Sequence, residues 1–330
     1  MKKKIASILL MMVAVFTLVG CGEGNKSTSD ASKQAKEIKV MVPDGLPAIS
    51  AAKLIKDNPK IEDGFNVKYT IEKTPDALVT SVMKGEADIA IVPSNVAAIQ
   101  YNKKIGYKIA ATTGWGSFYL VSTEKIKNIK DLKGKEIYNI GKGLTPDIVT
   151  KDVLSNLGLN VNKDIKFSYL NGITELAPTI ISGKAKFAVV PEPALSQVLA
   201  KKPNLNVIMN LNDEWKKENN SKYGFPQATV IVKEDLIKND NKFVEKFLDK
   251  LDDSVKYAVE DKKDLGDICE SIGVSANKNI IGKAIKKSNL KYVPIKDSKT
   301  EYNTYFKKLD KFDSKSIGGK VPNEGIYMEK

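Results

Sequence analysis

A short sequence pattern occurs twice in the chain, as KGEADIAIVPS at residues 84–94 and as SGKAKFAVVPE at residues 182–192. Each copy follows a segment with the apolar spacing of an amphipathic helix, at residues 77–83 and 176–181, so the unit reads as helix, glycine stop, buried strand and turn. Continuous apolar strands of this kind are typical of parallel sheets that helices cover on both faces. Ligands bind at the carboxyl ends of such strands. Two units therefore predict two α/β lobes that share a cleft for a small molecule.

The N-terminal 20 residues predict a secretory signal. Three lysines at residues 2–4 precede an apolar stretch from Ile5 to Val19, and the segment ends in Leu-Val-Gly-Cys. This ending resembles a bacterial lipobox, which implies that Cys21 is lipidated and becomes the mature N-terminus. Residues 21–36 are rich in Gly, Ser, Lys and Asn, and we expect them to form a flexible tether. No later stretch is apolar and long enough to span a bilayer.

Composition excludes several function classes. All 53 basic residues are lysines spread along the chain, although the net charge is +13, and nucleic-acid proteins more often cluster their basic residues and use arginine forks. We therefore expect no nucleic-acid partner. Histidine is absent and no CxxC pair occurs, so neither a metal site nor a cofactor is predicted. Cys269 is the only cysteine besides Cys21, and its apolar surroundings predict a small core residue.

The order of predicted strands and helices places one lobe inside the other. A length of 330 residues corresponds to about two domains. Alternating strands and helices from residue 37 onward form βαβ units, and the pattern restarts after residue 122. We predict a first lobe of residues 37–122 plus 224–330 and an inserted second lobe of residues 123–223. Residues 218–222 are expected to be a polar loop, and the chain after residue 233 is expected to be mostly helical.

Three motifs together resemble one protein family. They are the tandem Gly-x-Ala strands ending in Val-Pro, Pro191-Glu192-Pro193, and Phe225-Pro226-Gln227 ahead of the apolar residues 230–232. They are similar to the ABC-importer substrate-binding proteins for nitrate, sulfonate, taurine and thiamine precursors, over residues 37 to 260. The resemblance implies the type II periplasmic-binding-protein fold, an α/β architecture with two parallel-type sheets, helices on both faces and two crossings as a hinge.

The same resemblance implies where the protein acts and with what. The lobes of such receptors close on a solute, which passes to a permease driven by an ATPase subunit. With the lipobox, it implies a monomer anchored through Cys21 at the extracytoplasmic face of a Gram-positive cell membrane. An enzyme of pyrimidine or menaquinone precursor metabolism and a sensor subunit share the fold and are the alternatives. The absence of histidine removes the commonest general base, so we expect no enzymatic activity.

Two helices are predicted to begin with the same tripeptide, Thr-Pro-Asp, at Thr74 and Thr145. Thr is a good N-cap and Pro is tolerated at the first helical position, so both are strong helix starts. Helix N-termini also provide free N–H groups for an anion, and Lys142 in the preceding glycine-rich loop adds a positive charge. Both readings stand at this stage.

Other candidate ligand contacts follow the predicted strands. Ser94 and Asn95 come after the first repeated strand, and Glu192 holds the equivalent place after the second. Asp44, Gly45 and Leu46 are predicted to form one wall of the pocket. The other candidates are Trp115, an aromatic residue between glycines; Asn171, an amide after the second strand of the second lobe; and Tyr223, an aromatic residue at a crossing. Thr, Ser and Lys favour a sulfonate or nitrate, whereas Glu192, Asp44 and Trp115 favour an amino-bearing heteroaromatic such as a thiamine pyrimidine or a flavin. The sequence leaves both classes open.

Overall fold

The computed structural model describes residues 35–260 and 262–329. The predicted signal at residues 1–20, the lipidation site Cys21 and the predicted tether up to residue 34 lie outside the described residues. Lys36, assigned to the tether from sequence, is the first residue of a strand and pairs with Phe65.

Eleven strands occur in the described part of the chain. In chain order they are β1 (Lys36–Pro43), β2 (Phe65–Glu72), β3 (Ile89–Pro93), β4 (Tyr107–Trp115), β5 (Phe118–Ser122), β6 (Lys135–Ile140), β7 (Ile165–Leu170), β8 (Phe187–Pro191), β9 (Asn206–Asn210), β10 (Pro226–Lys233) and β11 (Asn289–Pro294).

Thirteen α-helices connect and cover these strands within the same described ranges. They are α1 (Leu46–Ser50), α2 (Ala52–Asp57), α3 (Pro75–Met83), α4 (Ser94–Asn102), α5 (Thr145–Asn156), α6 (Ile173–Ile181), α7 (Ala194–Lys201), α8 (Leu211–Asn219), α9 (Glu234–Asn239), α10 (Asn241–Val259), α11 (Leu265–Ser271), α12 (Lys278–Ile285) and α13 (Lys299–Asp313). Short 3-10 turns lie at Ile129–Leu132, Ile295–Asp297, Ser314–Ile317 and Glu324–Ile326.

The repeated sequence pattern forms the predicted helix–glycine–strand unit in both places. Gly85 and Gly183 follow α3 and α6 with φ angles of 69° and 81°, a left-handed conformation that glycine adopts at little cost. Their N–H groups donate to the carbonyls of Val82 and Ile180. The strands β3 and β8 that follow are buried, as their continuous apolar sequences predict.

The strands form two sheets with the same central arrangement. The first has the order β11-β4-β10-β3-β1-β2 and the second the order β7-β6-β8-β5-β9. In each, three strands run parallel, β2-β1-β3 and β7-β6-β8, and an antiparallel strand, β10 or β5, lies beside the repeated strand. The sheets are therefore mixed, whereas the sequence predicted parallel-type sheets.

The strand β5 belongs to the second sheet. Sequence assigned residues 37–122 to the first lobe, but β5 pairs antiparallel with β8 and β9 of the second sheet. Leu120 and Val121, which point to opposite faces, are both fully buried, and an interior position in the second sheet buries both. The chain thus leaves the first sheet after Trp115 and enters the second at Phe118. It returns between α8 and β10.

Two further elements differ from the sequence predictions. The helix α8 extends to Asn219 and so includes the start of the expected polar loop at residues 218–222. β11 is a strand in a region expected to be mostly helical, and it pairs with β4 at the edge of the first sheet. Its pairing partner is distant in sequence, so no local pattern marks it.

Helices pack on both faces of the first sheet. One face contacts α1, α2 and the long helix α10, whose Phe243, Val244 and Phe247 are buried. The other contacts α4 and α13, whose Tyr302 and Tyr305 are fully buried. A separate core fills the space between the second sheet, α6 and α7. Within residues 35–260 and 262–329, no helix is long and apolar enough to cross a membrane.

Candidate ligand-binding site

A cavity of about 110 Å³ lies between the strand ends of the two sheets. The carboxyl ends of β1, β2 and β3 reach it from the first sheet, and those of β6 and β8 reach it from the second. This is the position predicted from the repeated units. The first-sheet side contributes Pro43, Asp44, Leu46, Pro47, Glu72, Lys73, Thr74, Pro75, Val92, Pro93, Gln227 and Ala228, and the second-sheet side contributes Phe118, Ile140, Thr145, Pro146, Gly172, Ile173, Thr174, Pro191 and Glu192.

The walls of the cavity are largely apolar. Leu46, Ile140, Phe118 and Ile173 present hydrocarbon or aromatic surface, and prolines at several strand ends add CH surface without an N–H donor. Walls of this kind favour a flat or apolar solute body that a few polar groups orient. A wider space of about 580 Å³ adjoins the cavity and shares Asp44, Ile173 and Thr174 with it.

The charged groups on the walls give the cavity a negative balance. Asp44, Glu72 and Glu192 contribute three carboxylates, and Lys73 contributes one ammonium group. That ammonium group lies 3.4 Å from the Asp44 carboxylate, so the two largely neutralise each other. The remaining carboxylates favour a solute that donates hydrogen bonds or carries positive charge.

Glu192 is the most deeply buried of these acids, with 1% of its surface exposed. Its two carboxyl oxygens accept hydrogen bonds from the backbone N–H and the hydroxyl of Ser196, both at 3.1 Å. Burial raises the pKa of the Glu192 carboxyl, although the Ser196 bonds and the nearby Lys287 act in the opposite direction. Each oxygen can still accept a hydrogen bond from a solute.

Gln227, which the sequence did not single out as a contact, is the principal amide on the cavity wall. Its Oε1 accepts from the backbone N–H of Ser117 at 2.7 Å and from the Ser117 hydroxyl at 3.1 Å. The Nε2 atom has no acceptor among the described residues, so it can donate to a solute. The Phe225-Pro226-Gln227 motif was the signal that could have identified it.

Thr74 and Thr145 both line the cavity, but their hydroxyls are used within the protein. Thr74 caps α3 as predicted, since its Oγ1 accepts from the N–H of Ala77 at 3.4 Å. Thr145 is the first residue of α5, and Leu144 occupies the N-cap position instead. The Thr145 hydroxyl donates to Asn95 Oδ1 at 3.3 Å and lies 2.9 Å from the Tyr305 hydroxyl.

Ser94 and Asn95 lie behind the cavity rather than on its wall. Ser94 is fully buried, with its hydroxyl 2.6 Å from that of Thr229. Asn95 donates to the carbonyls of Gly143 and Ser316, at 2.9 and 3.1 Å. These buried polar groups satisfy each other, and neither of the two residues predicted as ligand contacts lines the cavity.

The two predicted aromatic contacts pack against each other outside the cavity, Trp115 buried and Tyr223 half-buried. Trp115 is 2% exposed, its ring lies 4.7 Å from that of Tyr223, and its Nε1 donates to the carbonyl of Lys291. Neither ring lines the cavity. Trp115 ends the strand β4, and its side chain fills the space between this strand and the returning chain.

Lys142 and Asn171 are exposed and lie outside the cavity wall. The Lys142 ammonium group lies over the ring of Tyr169, 5.7 Å from its centre. Asn171 bonds to the carboxylate of Glu175 in the first turn of α6. Gly45 lines the adjoining wider space, where its φ of +100° and the close approach of Ile173 require the absence of a side chain.

Asp44 supports the cavity wall through its own hydrogen bonds. Its Oδ1 accepts from the N–H groups of Gly45 and Ser275, at 2.9 and 3.1 Å. Lys73, which also donates to the carbonyl of Gly273, links the Asp44 carboxylate to the same loop. Of the twelve predicted contacts, the cavity therefore brings together five: Asp44, Leu46, Thr74, Thr145 and Glu192.

Known proteins share this architecture. A crystal structure of an ABC transporter protein from Parabacteroides distasonis is 29% identical, with a TM-score of 0.75, over 89% of this chain and 99% of the other. The periplasmic aliphatic sulphonate binding protein SsuA from Escherichia coli is 12% identical with a TM-score of 0.67, over 89% and 92%. The periplasmic nitrate-binding protein NrtA from Synechocystis is 14% identical with a TM-score of 0.55, over 72% and 66%. The first of these is an ABC transporter protein, and the other two are periplasmic binding proteins.

The sequence itself matches a family profile. The profile described as NMT1/THI5 like aligns with residues 61–264, more than half of the chain. No curated protein sequence matches the chain. The aligned residues include both repeated strands, both crossings and the Phe-Pro-Gln motif, and the fold has the two sheets of periplasmic substrate-binding proteins. The chain therefore belongs to the NMT1/THI5-like family.

Proposed function

We propose that the protein is the substrate-binding component of an ABC importer, which captures a small organic solute and delivers it to a permease and its ATPase. The observation that carries this proposal is the largely apolar cavity between the strand ends of the two sheets. In this proposal each sheet with its helices is one lobe, and a solute that contacts both lobes shifts an open–closed equilibrium towards closure. The solved neighbours, which include sulphonate and nitrate binding proteins of transport systems, support the same reading.

The solute class is a flat heteroaromatic molecule with an amino group, of the thiamine-pyrimidine or flavin kind, rather than a sulfonate or nitrate. Three carboxylates and one ammonium group line the cavity, and the chain contains no arginine to pair with an anion. An anion would meet the buried carboxyl of Glu192, whereas an amino group can donate to it. The apolar walls accommodate the face of a ring.

A panel of solutes tests the proposal. Binding stabilises the folded protein by RT ln(1 + [L]/Kd), about 2.7 kcal/mol at a hundredfold excess over Kd. We expect 4-amino-2-methylpyrimidine or riboflavin to raise the unfolding temperature, and taurine, methanesulfonate and nitrate to leave it unchanged. Stabilisation by the sulfonates alone would overturn the solute class. Turnover of a panel member without stabilisation would overturn the receptor function.

We also propose a lipid anchor on Cys21 at the extracytoplasmic face of the cell membrane, on a protein that acts as a monomer. The Leu-Val-Gly-Cys sequence supports this placement. In cells, the native chain should partition into the membrane fraction, and the Cys21→Ser variant should be released. If both fractionate alike, the anchor is wrong. Light scattering from the detergent-solubilised protein measures its oligomeric state.

A further inference from the structure

The two segments that connect the sheets lie side by side next to the cavity. The outgoing segment contains Gly116 and Ser117, and the returning segment contains Phe225 and Gln227. The N–H of Gly116 donates to the carbonyl of Phe225 at 3.0 Å. A side chain at Gly116 would meet the Phe225 ring at 2.5 Å, so the segments are in direct contact.

Ser117 bonds to the side chain of Gln227 and to the backbone of Glu192, two residues that line the cavity. Its N–H and its hydroxyl donate to Gln227 Oε1, at 2.7 and 3.1 Å. Its carbonyl accepts from the N–H of Glu192 at 3.2 Å. One fully buried residue on the outgoing segment therefore fixes an amide from the first sheet and the backbone that carries a carboxyl of the second.

Two donors on Gln227 Oε1 determine which way its amide faces. With the oxygen held by Ser117, the NH2 group remains as the only part of the side chain that can bond to a solute. The Glu192 carboxyl lines the same cavity and supplies acceptors. The cavity therefore presents one oriented donor and one acceptor group.

We propose that Gln227 is a specificity-determining residue, whose Nε2 donates to a hydrogen-bond acceptor on the solute, and that Ser117 is its positioning residue. This inference rests on the proposed function, because it assigns a role within the proposed solute site. It requires a solute with an acceptor atom, such as a ring nitrogen or a carbonyl oxygen, in addition to a group that donates to Glu192. A solute without that acceptor leaves the Gln227 donor buried and unpaired, which weakens binding.

A matched pair of probes isolates this acceptor. 4-Amino-2-methylpyrimidine and 3-methylaniline have nearly the same shape and the same amino and methyl substituents, but only the first has ring nitrogens. Their affinities are measured by calorimetry for the full chain, under conditions where both rings are neutral. The ratio of the two affinities, compared between the wild type and a variant, cancels differences common to both proteins.

Two substitutions of Gln227 distinguish the loss of the donor to the solute from the loss of the hydrogen bonds to Ser117. Gln227→Met removes both the solute donor and the acceptor for Ser117, whereas Gln227→Glu keeps oxygens for Ser117 and loses the donor. We expect each variant to lower the preference for the pyrimidine about tenfold. Ser117→Ala, which keeps the backbone N–H bond but loses the hydroxyl bond, should lower it by a smaller factor.

Amide hydrogen exchange at Ser117 reports on the hydrogen bond from its N–H to Gln227 Oε1, and it needs no bound solute. Exchange should be faster in Gln227→Met than in the wild type and remain slow in Gln227→Glu. The proposal is supported if both variants lose the preference for the pyrimidine and if exchange of the Ser117 amide is fast only in Gln227→Met. If Gln227→Glu keeps the preference for the pyrimidine over 3-methylaniline, the role assigned to Gln227 is overturned. The proposed function is unaffected by that result, because the wild type still binds the pyrimidine. A wild-type protein that binds neither probe overturns the proposed solute class, and the assignment of Gln227 falls with it.

Discussion

Replacement of Glu192 by Gln tests two properties of the buried carboxyl group: its effect on the free energy of folding and its contribution to solute binding. Glu192 is 1% exposed, and burial raises its pKa above the ordinary value of 4.5. The charged form is therefore disfavoured in the folded protein, and each tenfold difference in proton affinity between the folded and unfolded states corresponds to about 1.4 kcal/mol. An amide at this position has no charge to bury. Its oxygen can accept the backbone N–H of Ser196, while the serine hydroxyl turns to accept from its NH2 group.

We expect Glu192→Gln to raise the stability of the solute-free protein at neutral pH by about 1 kcal/mol, or roughly 1–2 °C in unfolding temperature. The sign follows from linkage. A carboxyl with a raised pKa binds its proton more tightly in the folded state, so the wild type loses stability as pH rises above 4.5 through the raised pKa. The advantage of the variant should therefore shrink as the pH is lowered, and it should vanish where Glu192 is protonated in both states.

The same substitution should weaken binding of an amino-bearing solute. A hydrogen bond to a charged group contributes about 1.5–3 kcal/mol, so the affinity for 4-amino-2-methylpyrimidine should fall roughly 10- to 150-fold. Acidification also protonates the pyrimidine ring, so the comparison is made as a ratio: the affinity of the wild type relative to that of the variant should decrease as Glu192 becomes protonated. Thermal unfolding and calorimetry across a pH series measure both effects.

Glu245→Gln provides the matched control. Glu245 lies on α10, is exposed and is not on the cavity wall, so its replacement removes the same charge without a buried carboxyl. It should change neither stability by more than about 0.5 kcal/mol nor affinity. A Glu192→Gln protein that is less stable than the wild type at neutral pH, or whose stability difference does not depend on pH, would refute this account of the buried carboxyl.

Three further predictions concern residues around the cavity and in the core. Gly45→Ala places a side chain at a φ of +100° and 3.3 Å from Ile173, so it should lower the free energy of unfolding by about 1–3 kcal/mol and weaken solute binding. An unchanged affinity in calorimetry would contradict the close approach of Ile173 to Gly45. Trp115→Phe loses the hydrogen bond to the Lys291 carbonyl and part of the contact with Tyr223, so chemical denaturation should show a free energy of unfolding lower by about 1–3 kcal/mol, with solute affinity unchanged. Weaker binding without a loss of stability would indicate that Trp115 contacts the solute. Burial raises the pKa of the Cys269 thiol to about 12, so in a Cys21→Ser background a thiol reagent should react only after unfolding, and rapid reaction of the native protein would disprove its burial.

The central strands of the fold could be predicted because their signals are local. The repeated helix–glycine–strand pattern identifies α3 with β3 and α6 with β8 from contiguous residues. The sheet to which a strand belongs is not a local property. β5 has the apolar sequence of a buried strand in either sheet, and only its pairing with β8 and β9 decides between them.

The candidate site was predicted in part for the same reason. The carboxyl end of a parallel strand faces the ligand side of a sheet, and both Asp44 and Glu192, which follow such ends, line the cavity. It does not specify which way a side chain turns after the strand ends. Asn95 turns towards the C-terminal part of the chain, and its partner carbonyl at Ser316 is far away in sequence. Gln227 lies at the start of an antiparallel strand, where the rule makes no prediction.

The position of β10 in the first sheet has a consequence for a chain that folds in order from its N-terminus to its C-terminus. β10 pairs with β3 on one side and β4 on the other, so the middle of the first sheet stays open until the chain up to residue 233 is available. All five strands of the second sheet lie between Phe118 and Asn210, so that sheet can be completed earlier. During that interval, β3 and β4 present unpaired backbone edges of the kind that promote association between chains. In that order the N-terminal strands belong to the sheet that is completed last, and a chain interrupted between Phe118 and Asn210 leaves these edges exposed.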